Sequence, residues 1–186
     1  MTIGIDIDDT ICDSYEYMTP YFCNAFNIDI KSLENKFGRY YEVYGLTREE
    51  FKKFLLDNFY KFSPNIKVKE NAKEVINRLK QNNKIIIVTA RSDDYFKDAK
   101  KHCIDYLNKK NILFDEVIVN AKEKGKICKE NNIDLLIDDN IDNCKSAKGN
   151  GIKCLLFDSK INKNTDEFIR VHNWIEIEKI IENEVK

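Results

Sequence analysis

Five short stretches of the chain are rich in apolar, β-branched residues, most of them on successive positions rather than on alternate ones: residues 3–7, 84–89, 116–119, 135–137 and 153–157. Runs of this kind, rich in Ile, Val and Leu, are how strands buried on both faces read. Between them the pattern shifts to a helical period. Val75, Ile76 and Leu79 share a face within 72–81, and Ala99, Cys103, Tyr106 and Leu107 share one within 96–109. Shorter helical patterns cover 126–131 and 143–150, and Gly149 and Gly151 mark the turn into the last strand. Trp174, Ile177, Ile180 and Ile181 form the stripe of a closing helix over 174–183. Strand–helix–strand alternation predicts an α/β fold with a parallel sheet and right-handed crossovers.

One stretch does not fit this repeat. Roughly sixty residues separate the first strand from the helix at Ala72, far more than a connection between strand and helix needs. Residues 13–65 carry helical signals of their own: Tyr17, Tyr21, Phe22 and Ala25 recur at helical spacing. Thr47 with Glu50 three positions on reads as a capping box, followed by Phe51, Phe54 and Leu55, and Ser63-Pro64 punctuates the exit. The pattern predicts two units: a core of residues 1–12 and 66–186, and a helical insert of 13–65 above one end of the sheet.

Composition narrows the classes of function. Lys and Arg number 31 and Asp and Glu 32, for a net charge of -1. That balance excludes a strongly basic nucleic-acid binder. No apolar run approaches the roughly 18–20 residues of a membrane span, and no basic-then-apolar leader opens the sequence. None of the six cysteines forms a C-x-x-C pair, and the two histidines, His102 and His172, make no zinc-ligand pattern with them. They read as reduced thiols in a cytoplasmic protein.

The chemistry lies at the ends of the strands. The first runs into Asp6-Ile7-Asp8-Asp9-Thr10. Three carboxylates within four residues repel one another, and a fold gathers them only with a cation or proton to share. Leu135-Leu136-Ile137 runs into a second acidic pair, Asp138-Asp139. Were these two strands neighbours, their carboxylates would converge where open α/β sheets bind ligands, as an oxygen-rich site for Mg²⁺. After the second strand, Thr89-Ala90-Arg91 offers a hydroxyl and free backbone N–H groups suited to a phosphate. Lys122-Glu123-Lys124-Gly125-Lys126 places a lysine at the opening of a helix.

The order of these four motifs resembles the haloacid dehalogenase (HAD) superfamily of phosphohydrolases. Within it, the D-I-D-D-T start and the L-L-I-D-D motif look like the 5′(3′)-deoxyribonucleotidase-like nucleotidases. The resemblance implies a Rossmann-like three-layer α/β core, with 13–65 as a C1 cap. It implies Asp6 as the nucleophile that becomes a phospho-aspartate. It makes Asp8 the general acid/base, lending its backbone carbonyl to the metal. Thr89 and the amide of Ala90 become the phosphate-binding pair, with Arg91 beside them. Lys124 is the match for the motif-three lysine, with Lys122 and Lys126 in competition. Asp138 and Asp139 become the motif-four acids, Asp139 favoured as a direct Mg²⁺ ligand. Crowding by other carboxylates is expected to raise the pKa of Asp8. The fourth position of motif one, often Gly, is Asp9 here, either tuning the metal site or facing solvent.

The implied substrate is a small phosphomonoester, with a nucleoside monophosphate first. Residues 13–65 hold seven Tyr and seven Phe. Aromatics stack on bases with little base selectivity, and Gly38-Arg39-Tyr40-Tyr41 joins a cation to two rings, making Arg39 a candidate substrate contact. The alternatives are a phosphatase for sugar or amino-acid phosphates and a non-catalytic phosphate-binding protein. A receiver-type signalling module would carry its acidic pair upstream of the phosphorylated Asp; here the second pair comes last.

Overall fold

Along the sheet, side chains fall to two faces by simple alternation. Ile3, Ile5, Ile85, Ile87, Leu135, Ile137 and Leu155 pack into the larger hydrophobic cluster, and Ile86, Val88 and Leu136 into the smaller. In the computed structural model, which describes residues 1–163 and 165–184, six strands form one sheet in the order β3-β2-β1-β4-β5-β6. They are β1 (Thr2–Ile5), β2 (Lys84–Val88), β3 (Glu116–Ile118), β4 (Leu135–Asp138), β5 (Lys153–Phe157) and β6 (Ile169–Val171). All five pairings are parallel. Of the predicted core, residues 164, 185 and 186 lie outside the described residues.

Helices cover both faces. Numbered along the chain, α1 (Ser14–Phe26), α2 (Tyr40–Val43) and α3 (Arg48–Phe62) form within the insert, followed by α4 (Ala72–Leu79), α5 (Ala99–Lys109), α6 (Lys124–Glu130), α7 (Ile141–Gly149) and α8 (Trp174–Glu184). Val75 and Ile76 of α4, Cys103 and Leu107 of α5, and Trp174 and Ile177 of α8 join the larger cluster. Cys128 of α6 and Ala147 of α7 join the smaller. This is an α/β fold with a parallel sheet between two helical layers.

Rings from residues 13–65 pack on one another and join the larger cluster. Phe22 of α1 stacks on Tyr44 at 4.6 Å and on Phe51 of α3 at 5.1 Å between centroids. The capping box at Thr47 is present: Thr47 N–H donates to Glu50 Oε2 at 2.8 Å, and Glu50 N–H to Thr47 Oγ1 at 3.2 Å.

Several boundaries differ from the sequence pattern. α5 begins at Ala99 rather than 96, because Asp98 is left-handed (φ 56°) and Phe96 is drawn into the core against Phe59 at 4.3 Å. α7 begins at Ile141 rather than 143, because Asn140 caps it, its Oδ1 accepting from Asp142 N–H at 2.8 Å. α6 starts at Lys124, two residues early. β6 is an addition that the pattern did not show.

His102, on α5, is buried with its Nε2 2.6 Å from Ser63 Oγ. Burial, with Arg91 nearby, pushes its pKa from the usual 6.5 down to about 4. Below pH ~6.5 the unfolded chain takes up a proton that the folded chain takes only near pH 4. Stability is therefore expected to fall as the pH drops through that window, by up to about 1.4 kcal/mol per unit. Urea denaturation across the window checks this, and His102→Gln should flatten the slope; an unchanged slope in the variant contradicts it.

Candidate active site

β2, β1 and β4 are consecutive in the sheet, so their carboxyl ends lie side by side. β1 delivers Asp6, Asp8 and Asp9, β2 delivers Thr89, Ala90 and Arg91, and β4 delivers Asp138 and Asp139. The strand order turns at β1, where open α/β sheets form their ligand crevice.

Lys124 sits at the centre. Its Nζ lies 2.6 Å from Asp6 Oδ1 and 2.6 Å from Asp138 Oδ2, and all three side chains are buried. Of the three competing lysines it alone enters the cluster. Lys122 pairs with Asp94 at 3.2 Å and Lys126 faces Glu130 at 3.9 Å, both on the surface. Gly125 makes this possible: a Cβ there would stand 2.0 Å from the Ser146 carbonyl oxygen of α7. Only glycine lets α6 approach α7 closely enough to carry Lys124 to the carboxylates. Gly125→Ala is expected to destabilise the fold by about 1–3 kcal/mol or more and to lower catalysis with it. Denaturant melts and assays check this; wild-type stability and activity together contradict it.

Asp6, Asp138 and Asp139 each present an oxygen within 4.8 Å of the others. Burial pushes the Asp6 pKa up to about 7, against the pull of Lys124, and Asp138 and Asp8 push the same way. Asp139 is held well above the usual carboxylate range by burial and by Asp9, Asp138 and Asp6. Its Oδ2 is buried without a hydrogen-bond partner. Asp138 also accepts from Asn140 N–H at 2.9 Å and from Asn143 Nδ2 at 3.0 Å. An orphaned carboxylate oxygen in a buried, all-oxygen, acid-rich cluster suits a hard divalent cation.

Asp8 departs from expectation. Burial raises its pKa, but Arg91 and Ser14 outweigh burial and hold the carboxyl below the usual range. Arg91 grips it bidentately, Nε to Oδ2 at 2.9 Å and Nη2 to Oδ1 at 2.7 Å, and Ser14 Oγ donates at 2.5 Å. Arg91, expected near the phosphate, is thus committed to Asp8. Its guanidinium stacks over Phe59 at 5.1 Å, Tyr106 at 5.7 Å and Phe96 at 5.9 Å.

Thr89 and Ala90 line a cavity of about 280 Å³ with Asp6, Asp8, Lys124, Asp139 and Tyr40. Arg39 stands at its exposed rim, donating to Tyr41 Oη at 3.2 Å and to Asp142 Oδ2 at 3.3 Å. Asp9 does not face solvent: it is buried, left-handed at φ 55°, and accepts from Tyr15 N–H at 2.9 Å and from the Tyr40 hydroxyl.

The profile of one protein family, described as 5′ nucleotidase, deoxy (Pyrimidine), cytosolic type C protein, matches residues 1–186. The chain belongs to this family. It is a HAD-type hydrolase of phosphoric monoesters. A nucleotidase of Clostridium acetobutylicum is 33% identical over 98% of this chain and 94% of that protein. A 5′(3′)-deoxyribonucleotidase of Bacillus subtilis is 46% identical over a shorter stretch, 28% of this chain and 31% of that protein. Among solved structures, a predicted phosphatase from Clostridium acetobutylicum has a TM-score of 0.72 at 19% identity, covering 98% of each chain. A protein of Bacillus subtilis described as a HAD-hydrolase and bound to magnesium has a TM-score of 0.64 at 18% identity, covering 97% of each chain. These last two show the shared fold. Among the described residues, no helix is long and apolar enough to cross a membrane.

Sequence reasoning missed Ser14 and Asn143, and it offered Tyr40 as a ring for the substrate without its bond to Asp9. Asn143 had a local signal: it lies five residues past Asp138, on the helix that follows the acidic pair. Ser14 had none, and neither had the Tyr40–Asp9 bond, since only folding brings these residues to the site.

Proposed function

We propose that the protein is an Mg²⁺-dependent phosphomonoester hydrolase working through a phospho-aspartate at Asp6, with a nucleoside monophosphate as substrate. The observation that carries this is Lys124 bridging Asp6 and Asp138 beside the unpartnered Asp139 oxygen. Asp6, Asp138 and Asp139, with the Asp8 backbone carbonyl, would hold Mg²⁺, which supplies the positive charge that lets a carboxylate approach a phosphate dianion.

The chain's own residues do the rest. Thr89 and the Ala90 N–H orient the phosphoryl oxygens, and Lys124 neutralises the charge developing on them. An Asp6 oxygen bonds to phosphorus as the ester P–O bond breaks. The leaving alkoxide takes its proton from Asp8, which must first turn out of the Arg91 grip to be protonated. Ionised again, Asp8 takes a proton from the water that attacks phosphorus and frees Asp6. Residues 13–65 act as a cap that keeps bulk water from these steps.

The nucleotide reading is supported by the family and by the rings beside the phosphate cavity. An adjoining pocket of about 140 Å³ is lined by Met18, Tyr40, Phe51, Leu55, Tyr95 and Phe96 among others. Flat rings suit such walls. Rates with Mg²⁺ over nucleoside monophosphates, sugar phosphates and amino-acid phosphates test it. The highest kcat/KM should fall on a nucleotide, and a sugar phosphate exceeding every nucleotide overturns the substrate assignment.

A further inference from the structure

Asp9 combines three features that rarely occur together. Its backbone is left-handed, its carboxylate is buried, and both carboxylate oxygens are engaged by the insert rather than by the core. Oδ1 accepts from Tyr15 N–H, at the second position of α1. The residue preceding that helix, Asp13, makes no capping bond and pairs instead with Lys69 at 2.6 Å. Asp9 therefore supplies the missing acceptor from a distant part of the turn. Oδ2 accepts from the hydroxyl of Tyr40, the first residue of α2.

Tyr40 is where that bond matters. Its ring packs on Tyr15 at 5.7 Å and forms a wall common to the phosphate cavity and to the apolar pocket beside it. Besides the backbone bond from Gly38 N–H to the Ile161 carbonyl at 3.0 Å, the neighbouring side-chain tie between this segment and the core is exposed: Arg39 and Asp142 are 59% and 66% exposed at 3.3 Å. Solvated pairs of that kind hold little. The Asp9–Tyr40 bond is sheltered and charged, so it holds more.

We propose that Asp9 is a positioning residue: it fastens α1 and α2 to the loop carrying Asp6 and Asp8 and fixes Tyr40 at the passage between phosphate and the remainder of the substrate. This rests on the cap and nucleotide readings above. A carboxylate is required because two donors arrive on its two oxygens; Asn offers one acceptor, and Gly accommodates the backbone but offers none.

The test uses the full-length protein with Mg²⁺ and a nucleoside monophosphate, in Asp9→Gly, Asp9→Asn, Tyr40→Phe and the Asp9→Gly/Tyr40→Phe double variant. Losing a charged hydrogen bond should raise KM about tenfold in Asp9→Gly and in Tyr40→Phe, with kcat falling by less. Asp9→Asn should fall between wild type and Asp9→Gly. The double variant should be no worse than the poorer single one, because both remove one bond. Amide hydrogen exchange over residues 38–44 should quicken in every variant. Additive effects, a loss in kcat at unchanged KM, or unchanged exchange overturn the proposal. Exchange needs no turnover: a wild type inactive on nucleotides with quickened exchange in the variants would sink the substrate reading alone. An active wild type with unaltered exchange would sink the Asp9 proposal alone.

Discussion

Asp6→Asn is expected to fold as the wild type does and to lose phosphatase activity by about four orders of magnitude. The amide keeps the shape of the carboxylate and cannot form an acyl-phosphate. Stability should not suffer. In the metal-free protein, Asp6 is raised to about 7 by burial and crowded by Asp138 and Asp8. Removing one charge relieves that crowding, while Lys124 keeps Asp138 as its partner at 2.6 Å. Circular dichroism melts without Mg²⁺ should therefore give a Tm equal to or above that of wild type. A variant retaining more than about a tenth of the wild-type rate would show that Asp6 is not the nucleophile.

Lys124→Met should cost both activity and stability. Nearly isosteric, it leaves Asp6, Asp138 and Asp139 buried with no cation. Breaking one partner from a buried ion pair costs about 3–5 kcal/mol. The deficit should depend on pH in a definite direction. With Lys124 present the folded pKa of Asp6 is already raised to about 7 from 3.8, and without it the value rises further. A carboxyl raised on folding favours the folded state at low pH and disfavours it increasingly as the pH climbs through that range. The variant should therefore be nearest to wild type in stability around pH 4 and furthest from it above pH 7. Saturating Mg²⁺ should recover part of the loss by supplying the missing charge. A deficit that is flat with pH and unmoved by Mg²⁺ would mean that Lys124 serves only to fill space.

Much of this arrangement is legible in the sequence, where local pattern and final environment agree. β1, β2, β4 and β5 read directly because strands buried on both faces are nearly continuous apolar runs. β6 was hidden because it is three residues at the sheet edge, with Ile169 62% exposed and Arg170 at its centre. The four motifs were visible because each follows a strand at its carboxyl end. What failed was everything set by a distant partner. Asp8 looked crowded by carboxylates, yet a guanidinium 83 residues on decides its charge. Asp9 read as tuning the metal site or facing solvent, until α2 brought Tyr40 to it from 31 residues away. Among the lysines of 122–126, charge pattern carried no preference; the close packing of Gly125 on Ser146 selects Lys124.

The central claim is a covalent step at Asp6, and the stereochemical course at phosphorus tests it most directly. A thiophosphate monoester made chiral with oxygen isotopes would be hydrolysed, with Mg²⁺ present, in water carrying the remaining isotope. Two successive in-line displacements, first by Asp6 and then by water, predict net retention of configuration. Net inversion would mean that water attacks the substrate directly and that no phospho-aspartate lies on the path.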